Sequence, residues 1–328
     1  MLPLPDPLQL PSPLAPTALA AFHALHQSAV VLARPDLVHL AFLGPKAGDV
    51  LTGLVTNDVL ALAPGESQYA VTLTAKGKVI ADLRIVRVAD ERYLTTSAPP
   101  SGEAWYELVR KFVNPRFAKY ARLSSTTVSC FGPQARTVIQ RALDALRANG
   151  HALDDVHVLP SSELGDVAGV DVVLSAELGD VLLGLLRADP SVTMGESDAL
   201  EVVRIAAGRP RVGLDMDDST IPQEANLGEL GALSFTKGCY TGQETVARLH
   251  FRGHVNKSLR RVRAEVPFPR GAELRTIEDK VIGDVRSTAI SPVDGPIGLA
   301  MIRREVLPGA VVHAHWNGVA PIAVTVLS

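Results

Sequence analysis

Lys237-Gly-Cys-Tyr-Thr-Gly-Gln-Glu244 is the most informative stretch of this 328-residue sequence. Cys239 stands between Gly238 and Gly242, which admit backbone shapes closed to other residues and let another molecule come close. Lys237 lies two positions before the thiol, and nearby positive charge favours thiolate, the reactive form. The other cysteine, Cys130, sits in the apolar run Thr126-Thr-Val-Ser-Cys-Phe131 and reads as core packing. Two cysteines supply neither a disulfide framework nor a resident four-cysteine zinc or iron–sulfur site.

Downstream, Arg248, Arg252, Lys257, Arg260, Arg261 and Arg263 put six cations in sixteen residues, with His250 and His254 among them. Two readings stand side by side: a solvated strand face, or a rim that grips an anion such as polyglutamate or a nucleic-acid backbone through bidentate guanidinium contacts. The two histidines lack the third ligand of a metal motif, so no metal is expected. Upstream, residues 208–241 are rich in Gly, Pro, Asp and Asn and have little periodicity. Long irregular segments inside folded domains are usually functional.

The remaining chain gives a coarse architecture. Prolines 3, 5, 7, 11, 13 and 16 make residues 1–16 an extended, flexible lead-in. A helix is expected from Thr17 to Gln27. Strands follow at 37–43, 68–74, 78–88 and 92–97, with Ala75-Lys-Gly77 as a hairpin turn and helices at 46–54 and 103–112. The order then restarts as strand 126–131, helix 134–148, strands 155–159 and 167–174, and helix 176–186, the order of a split βαβ unit. A helix at about 196–208 precedes the irregular segment. From Val255 short apolar runs alternate with turn signals, as in a small all-β barrel. The expected division is 17–125 with 196–250, then 126–195, then 251–328.

Composition limits the function. Apolar residues at 47% and charged residues at 20% allow a sizeable core. The net charge of −3 argues against a general nucleic-acid coat, so direct nucleic-acid binding is not expected. No apolar run approaches the roughly 20 residues of a membrane span, and no basic n-region precedes residue 34, so a cytoplasmic protein is expected. Nucleotide-binding and hydrolase motifs are absent.

The 237–244 stretch resembles the signature of the YgfZ family of folate-binding iron–sulfur maturation proteins. Gly53-Leu-Val-Thr-Asn-Asp-Val59, Thr74-Ala-Lys-Gly-Lys-Val-Ile-Ala-Asp82, Gly208-Arg-Pro-Arg-Val-Gly213 and Ile221-Pro-Gln-Glu-Ala-Asn-Leu227 extend the likeness over residues 35–328. That family is similar to the aminomethyltransferase (T-protein) of glycine cleavage and to the folate domains of sarcosine and dimethylglycine dehydrogenases. The fold implied is α+β: two ferredoxin-like domains and a C-terminal β-barrel in a ring around a folate-sized channel, with the chain returning to the first domain after the second. Glycine-cleavage transferases carry an acidic residue where Val203-Arg-Ile-Ala-Ala-Gly208 has Ala206, and they lack a cysteine at the place of Cys239.

The resemblance implies a tetrahydrofolate-binding accessory protein that supports iron–sulfur client or assembly proteins, including tRNA-modifying enzymes. It makes Cys239 the functional thiol with Lys237 beside it, and Asn57, Asp82, Glu224 and Arg248 candidate folate ligands. Gly238, Tyr240, Gly242, Gln243 and Glu244 complete the motif. The alternative is a folate-dependent one-carbon transferase, and a third reading is an RNA-binding module built on the basic run.

Overall fold

Pro16, tolerated at the first turn of a helix because its missing N–H has no partner there, opens α1 (Pro16–Gln27). The computed structural model describes residues 8–327. Of the expected flexible lead-in, residues 1–7 therefore lie outside the described residues. Residues 8–15 are anchored: the Leu8 N–H donates to the Arg270 carbonyl at 2.8 Å, and Leu14 packs against the core formed by α1 and its neighbours.

After α1 the chain makes β1 (Ala29–Arg34), a strand beyond those expected from the sequence. Ala29-Val-Val-Leu32 carries no alternation because a central strand is covered on both faces. The first sheet then forms from β2 (Val38–Leu43), α2 (Ala47–Leu54), β3 (Ser67–Leu73), β4 (Val79–Ala89), β5 (Arg92–Ser97), α3 (Ser101–Phe112) and β6 (Lys119–Arg122). Its strand order is β3-β4-β5-β2-β6, antiparallel throughout. Trp105 of α3 is fully buried beneath it, tilted against Phe42 at 6.1 Å, and its indole N–H donates to Thr95 Oγ1 at 2.9 Å. A buried tryptophan needs such a partner.

The second sheet uses β7 (Ser125–Phe131), α4 (Ala135–Ala148), β8 (His157–Ser161), β9 (Gly169–Ser175), α5 (Ala176–Ala188) and β10 (Val192–Met194). Its order is β10-β1-β7-β9-β8. The ferredoxin-like arrangement is thus present with one strand added. Strand β1 lies between β10, to which it is parallel, and β7, to which it is antiparallel. Residues 29–34 therefore belong by hydrogen bonding to the second sheet, not to the first unit where the expected boundary put them. Cys130 is buried in this sheet's core with Val31, Val128 and Val172.

Helix α6 (Ser197–Ala206) leads back to the first sheet. Residues 208–241 carry little regular structure yet bury Val212, Met216, Leu227, Ala232 and Leu233 against Val71, Leu73 and Val79. Helix α7 (Gln243–Arg252) follows, at the start of the basic run. Val246 is its one fully buried side chain, too little apolar periodicity to register as a helix. The barrel consists of β11 (Lys257–Ala264), β12 (Glu273–Arg275), β13 (Val281–Ser291), β14 (Gly295–Arg303), β15 (Val311–His315) and β16 (Ile322–Val326), closed in the order β11-β14-β13-β12-β15-β16. Leu259, Ile297, Leu299 and Met301 pack it onto α1 and α6. Among the described residues no helix is long and apolar enough to cross a membrane.

Candidate functional site

Strand β4 sends Asp82 and Arg84, two residues apart, to the same face of the first sheet. On β3, Tyr69 pairs with Arg84 and so lies diagonal to Asp82. The Tyr69 hydroxyl donates to Asp82 Oδ2 at 2.9 Å, and the Ser101 hydroxyl at the start of α3 donates to Oδ1. Ser101 Oγ also accepts the Asp82 backbone N–H at 3.1 Å. The carboxylate is held from both sides. Burial raises its pKa, while the bonds from Ser101 and Tyr69 pull the other way. Burial likewise lifts the Tyr69 phenol well above its ordinary value, and the neighbouring carboxylate adds to this.

These groups face a cavity of about 190 Å³ between the two sheets and the segment after α6. Five arginines line it: Arg34, Arg84, Arg204, Arg209 and Arg211. Four are engaged. Arg34 pairs with Glu163 and Asp36 at 3.1 Å each, Arg84 with Asp171, Arg204 with Asp215 at 2.7 Å, and Arg211 with Glu201 at 3.1 Å. Arg209 has no ion pair or side-chain hydrogen bond among the described residues. Two more lining groups, the Gln68 amide nitrogen and the Ser97 hydroxyl, are buried without a hydrogen-bond partner in the protein. Orphaned polar atoms in a native cavity call for a ligand or water to complete them.

The Gly208–Gly213 segment owes its course to a buried cluster. Asp215 is fully buried and accepts from Arg204, from the Arg211 backbone N–H at 3.0 Å and from the Ser287 hydroxyl at 2.6 Å. Arg204 also donates to Ser287 at 3.0 Å and to the Arg209 carbonyl. Strand β13 bulges at Arg286, between the pairs Val285–Ala300 and Ser287–Leu299, which re-aims Ser287 toward this cluster. Helix α6, the arginine loop and the barrel are thereby tied at one point.

The 237–244 stretch sits elsewhere. Lys237 Nζ donates to the carbonyls of Thr52, Val55 and Asn57, closing the C-terminus of α2, and lies 4.7 Å from the Tyr240 ring centroid. Burial lowers its pKa to about 8 and raises that of Tyr240 to about 12. Gly242 has φ 82°, and a β-carbon there would come within 2.5 Å of the Thr74 carbonyl oxygen. Gly77, at φ 75° in the β3–β4 turn, would meet Thr245 at 2.7 Å. The two motifs thus lock glycine against glycine. Gln243 accepts the Tyr240 N–H at 3.2 Å, Glu244 is exposed in the first turn of α7, and Gly238 has open space around it. Cys239 is exposed and does not line the cavity.

Of the four candidate folate ligands, only Asp82 reaches the cavity. The Asn57 amide donates to the carbonyls of Tyr69 and Gly231 at 2.9 and 2.8 Å. Glu224 accepts the Ile221 N–H at 2.8 Å and caps the turn Pro222–Ala225. Arg248 is exposed on α7. Sequence reasoning missed Tyr69, Ser101, Gln68 and Ser97, which carry no motif. Arg209, Pro210 and Arg211 stand in the Gly208–Gly213 stretch that carries part of the family likeness, but nothing in their spacing marks them as cavity lining.

The family profile described as the GCVT N-terminal domain matches residues 7–176, more than half of the chain. The chain belongs to this family. It is 30% identical over 234 residues to the tRNA-modifying protein YgfZ of Cronobacter sakazakii, and 30% over 232 residues to that of Klebsiella pneumoniae. The first match covers 66% of this chain and spans 65% of the relative's length. The glycine cleavage system aminomethyltransferase T from Bartonella henselae superposes on 98% of this chain and 90% of its own, with a TM-score of 0.86 and 23% identity. The family fold, two α+β sheets and a closed barrel, is therefore the fold of this chain.

Proposed function

We propose that this protein binds a reduced folate, tetrahydrofolate or a derivative, in the Asp82 cavity, and serves as an accessory factor for iron–sulfur enzymes, including those that modify tRNA. One observation carries the folate reading: a carboxylate braced by Tyr69 and Ser101 beside two buried polar groups that lack partners. A pterin is a flat heterocycle with N–H donors and ring acceptors. Asp82 accepts from the donors, Gln68 and Ser97 serve the acceptors, and the unpaired Arg209 takes a carboxylate of the glutamate tail. Asn57 supports the site through the Tyr69 backbone it bonds, and Glu224 through the turn it caps. The bound folate supplies a one-carbon carrier; the protein supplies its pocket and orientation. Relatives named as tRNA-modifying proteins support the wider role.

Calorimetric titration of tetrahydrofolate into wild type and Asp82→Ala tests the site. Losing a charged hydrogen-bond acceptor costs about 1.5–3 kcal/mol, so binding should weaken at least about tenfold. Equal binding removes Asp82 from the site, and absent binding in both ends the folate reading. The exposed Cys239 serves as the thiol that meets a client, since one thiolate can make a transient contact but cannot hold a cluster alone. Cys239→Ser should bind folate normally yet fail to support iron–sulfur enzymes in a deletion strain; full complementation would sink the thiol role.

A second reading, one-carbon transfer, draws on the raised pKa of Asp82, which suits a proton-transfer group. Against it, Ala206 stands where the transferases carry an acid, and its carbonyl accepts from Arg261 at 3.1 Å. Turnover of an aminomethyl donor with tetrahydrofolate would establish it.

A further inference from the structure

Helix α7 exposes a face that folding alone does not require. Glu244, Arg248, Phe251 and Arg252, spaced by four, three and one residues, lie on one exposed side. Phe251 leaves 68% of its surface in solvent. Arg248 and Arg252, one turn apart and about 6 Å along the axis, bracket it. Neither makes an ion pair or side-chain hydrogen bond among the described residues, unlike most of the arginines around the cavity. Beside them His250 stacks flat on Phe235, with centroids 3.6 Å apart and planes at 11°. Phe251 stands edge-on to His250 at 4.8 Å and to Phe235 at 6.4 Å. His254, also exposed, follows the helix.

We propose that this face docks an unpaired stretch of RNA, with a base stacked on Phe251 and the flanking phosphates held by Arg248 and Arg252. Aromatic faces beside cations that have no internal partner are what a single strand requires, because every base has a π-face and every nucleotide a phosphate. A duplex does not fit: its bases are already stacked, and the A-form major groove excludes side chains. An acidic peptide would satisfy the guanidinium groups but leave the ring platform unused. The net charge of −3 belongs to the whole surface and does not describe this stripe. The proposal stands apart from the folate reading, since none of these residues lines the Asp82 cavity.

The test is fluorescence anisotropy of a labelled single-stranded RNA of about twelve nucleotides, within the usual site sizes, with the full chain over a series of salt concentrations. Binding should fall with salt. Arg248→Gln with Arg252→Gln should flatten the slope of log K against log salt by about 1.4, or about 0.7 for each phosphate released. Phe251→Ala should weaken binding about tenfold at any one salt concentration and leave the slope unchanged. All three side chains are exposed, so the variants should melt and titrate tetrahydrofolate as wild type does. The proposal is overturned if no salt-sensitive binding is seen, if Phe251→Ala binds as wild type, or if a polyglutamate peptide of equal charge binds as tightly as the RNA.

Discussion

Gly238 and Gly242 flank the same cysteine, yet only Gly242 is held by its surroundings. Its φ of 82° and the 2.5 Å approach of the Thr74 oxygen leave no place for a methyl group. Gly242→Ala should therefore destabilise the protein by about 2 kcal/mol or more, and Gly77→Ala similarly, measured by denaturant unfolding. Gly238→Ala should stay within about 0.5 kcal/mol of wild type, because nothing in the chain lies within 4 Å of the added atom. A binding defect in Gly238→Ala without a stability defect would mark Gly238 as a contact for a partner. Lys237 teaches a related lesson. Sequence proximity suggested that it activates Cys239, whereas its three donors are spent on carbonyls at the end of α2. Lys237→Met should lower thermal stability as well as any client-directed activity.

Between elements, His39 of β2 joins the two sheets. It is 1% exposed, with Nδ1 3.1 Å from Thr96 Oγ1 and Nε2 3.0 Å from Thr127 Oγ1 of β7. Burial lowers its pKa to about 4, and Asp171 only partly offsets this. The unfolded chain takes up a proton near pH 6.5 while the folded one resists until about pH 4, so protonation favours unfolding. The contribution is complete above pH 6.5 and is lost as pH falls toward 4, on the order of 3 kcal/mol in all. Chemical denaturation at pH 7 and pH 4.5 should show the loss, and His39→Gln should diminish it. Most elements were legible in the sequence because alternation and helical spacing mark half-buried strands and amphipathic helices; β4 and α3 are examples. Strand β1 was not, since burial on both faces erases alternation, and α7 was not, since it buries little. The candidate site was legible at Asp82, which sits in a motif and faces the cavity, and illegible at Tyr69 and Ser101. Their role exists only where β3, β4 and α3 meet.

For the whole molecule, the Arg204–Asp215–Ser287 cluster couples the barrel to the cavity. Asp215→Ala would leave Arg204 buried with Glu201 as its remaining carboxylate partner, a loss expected to cost about 3–5 kcal/mol. It should also loosen residues 208–213 and weaken the tetrahydrofolate binding proposed for the cavity, readable by thermal unfolding and calorimetry together; a stable Asp215→Ala with unchanged binding would contradict this coupling. The placement of β1 has a consequence for biosynthesis. The strand leaves the ribosome early but has no neighbour to pair with until β7 and then β10 have been made. Until then its Val30, Val31 and Leu32 are open to chaperones and to other nascent chains. The wall of the cavity that carries Arg34 is therefore completed only after the first 194 residues are available, and the lining as a whole only once Leu230 has been made.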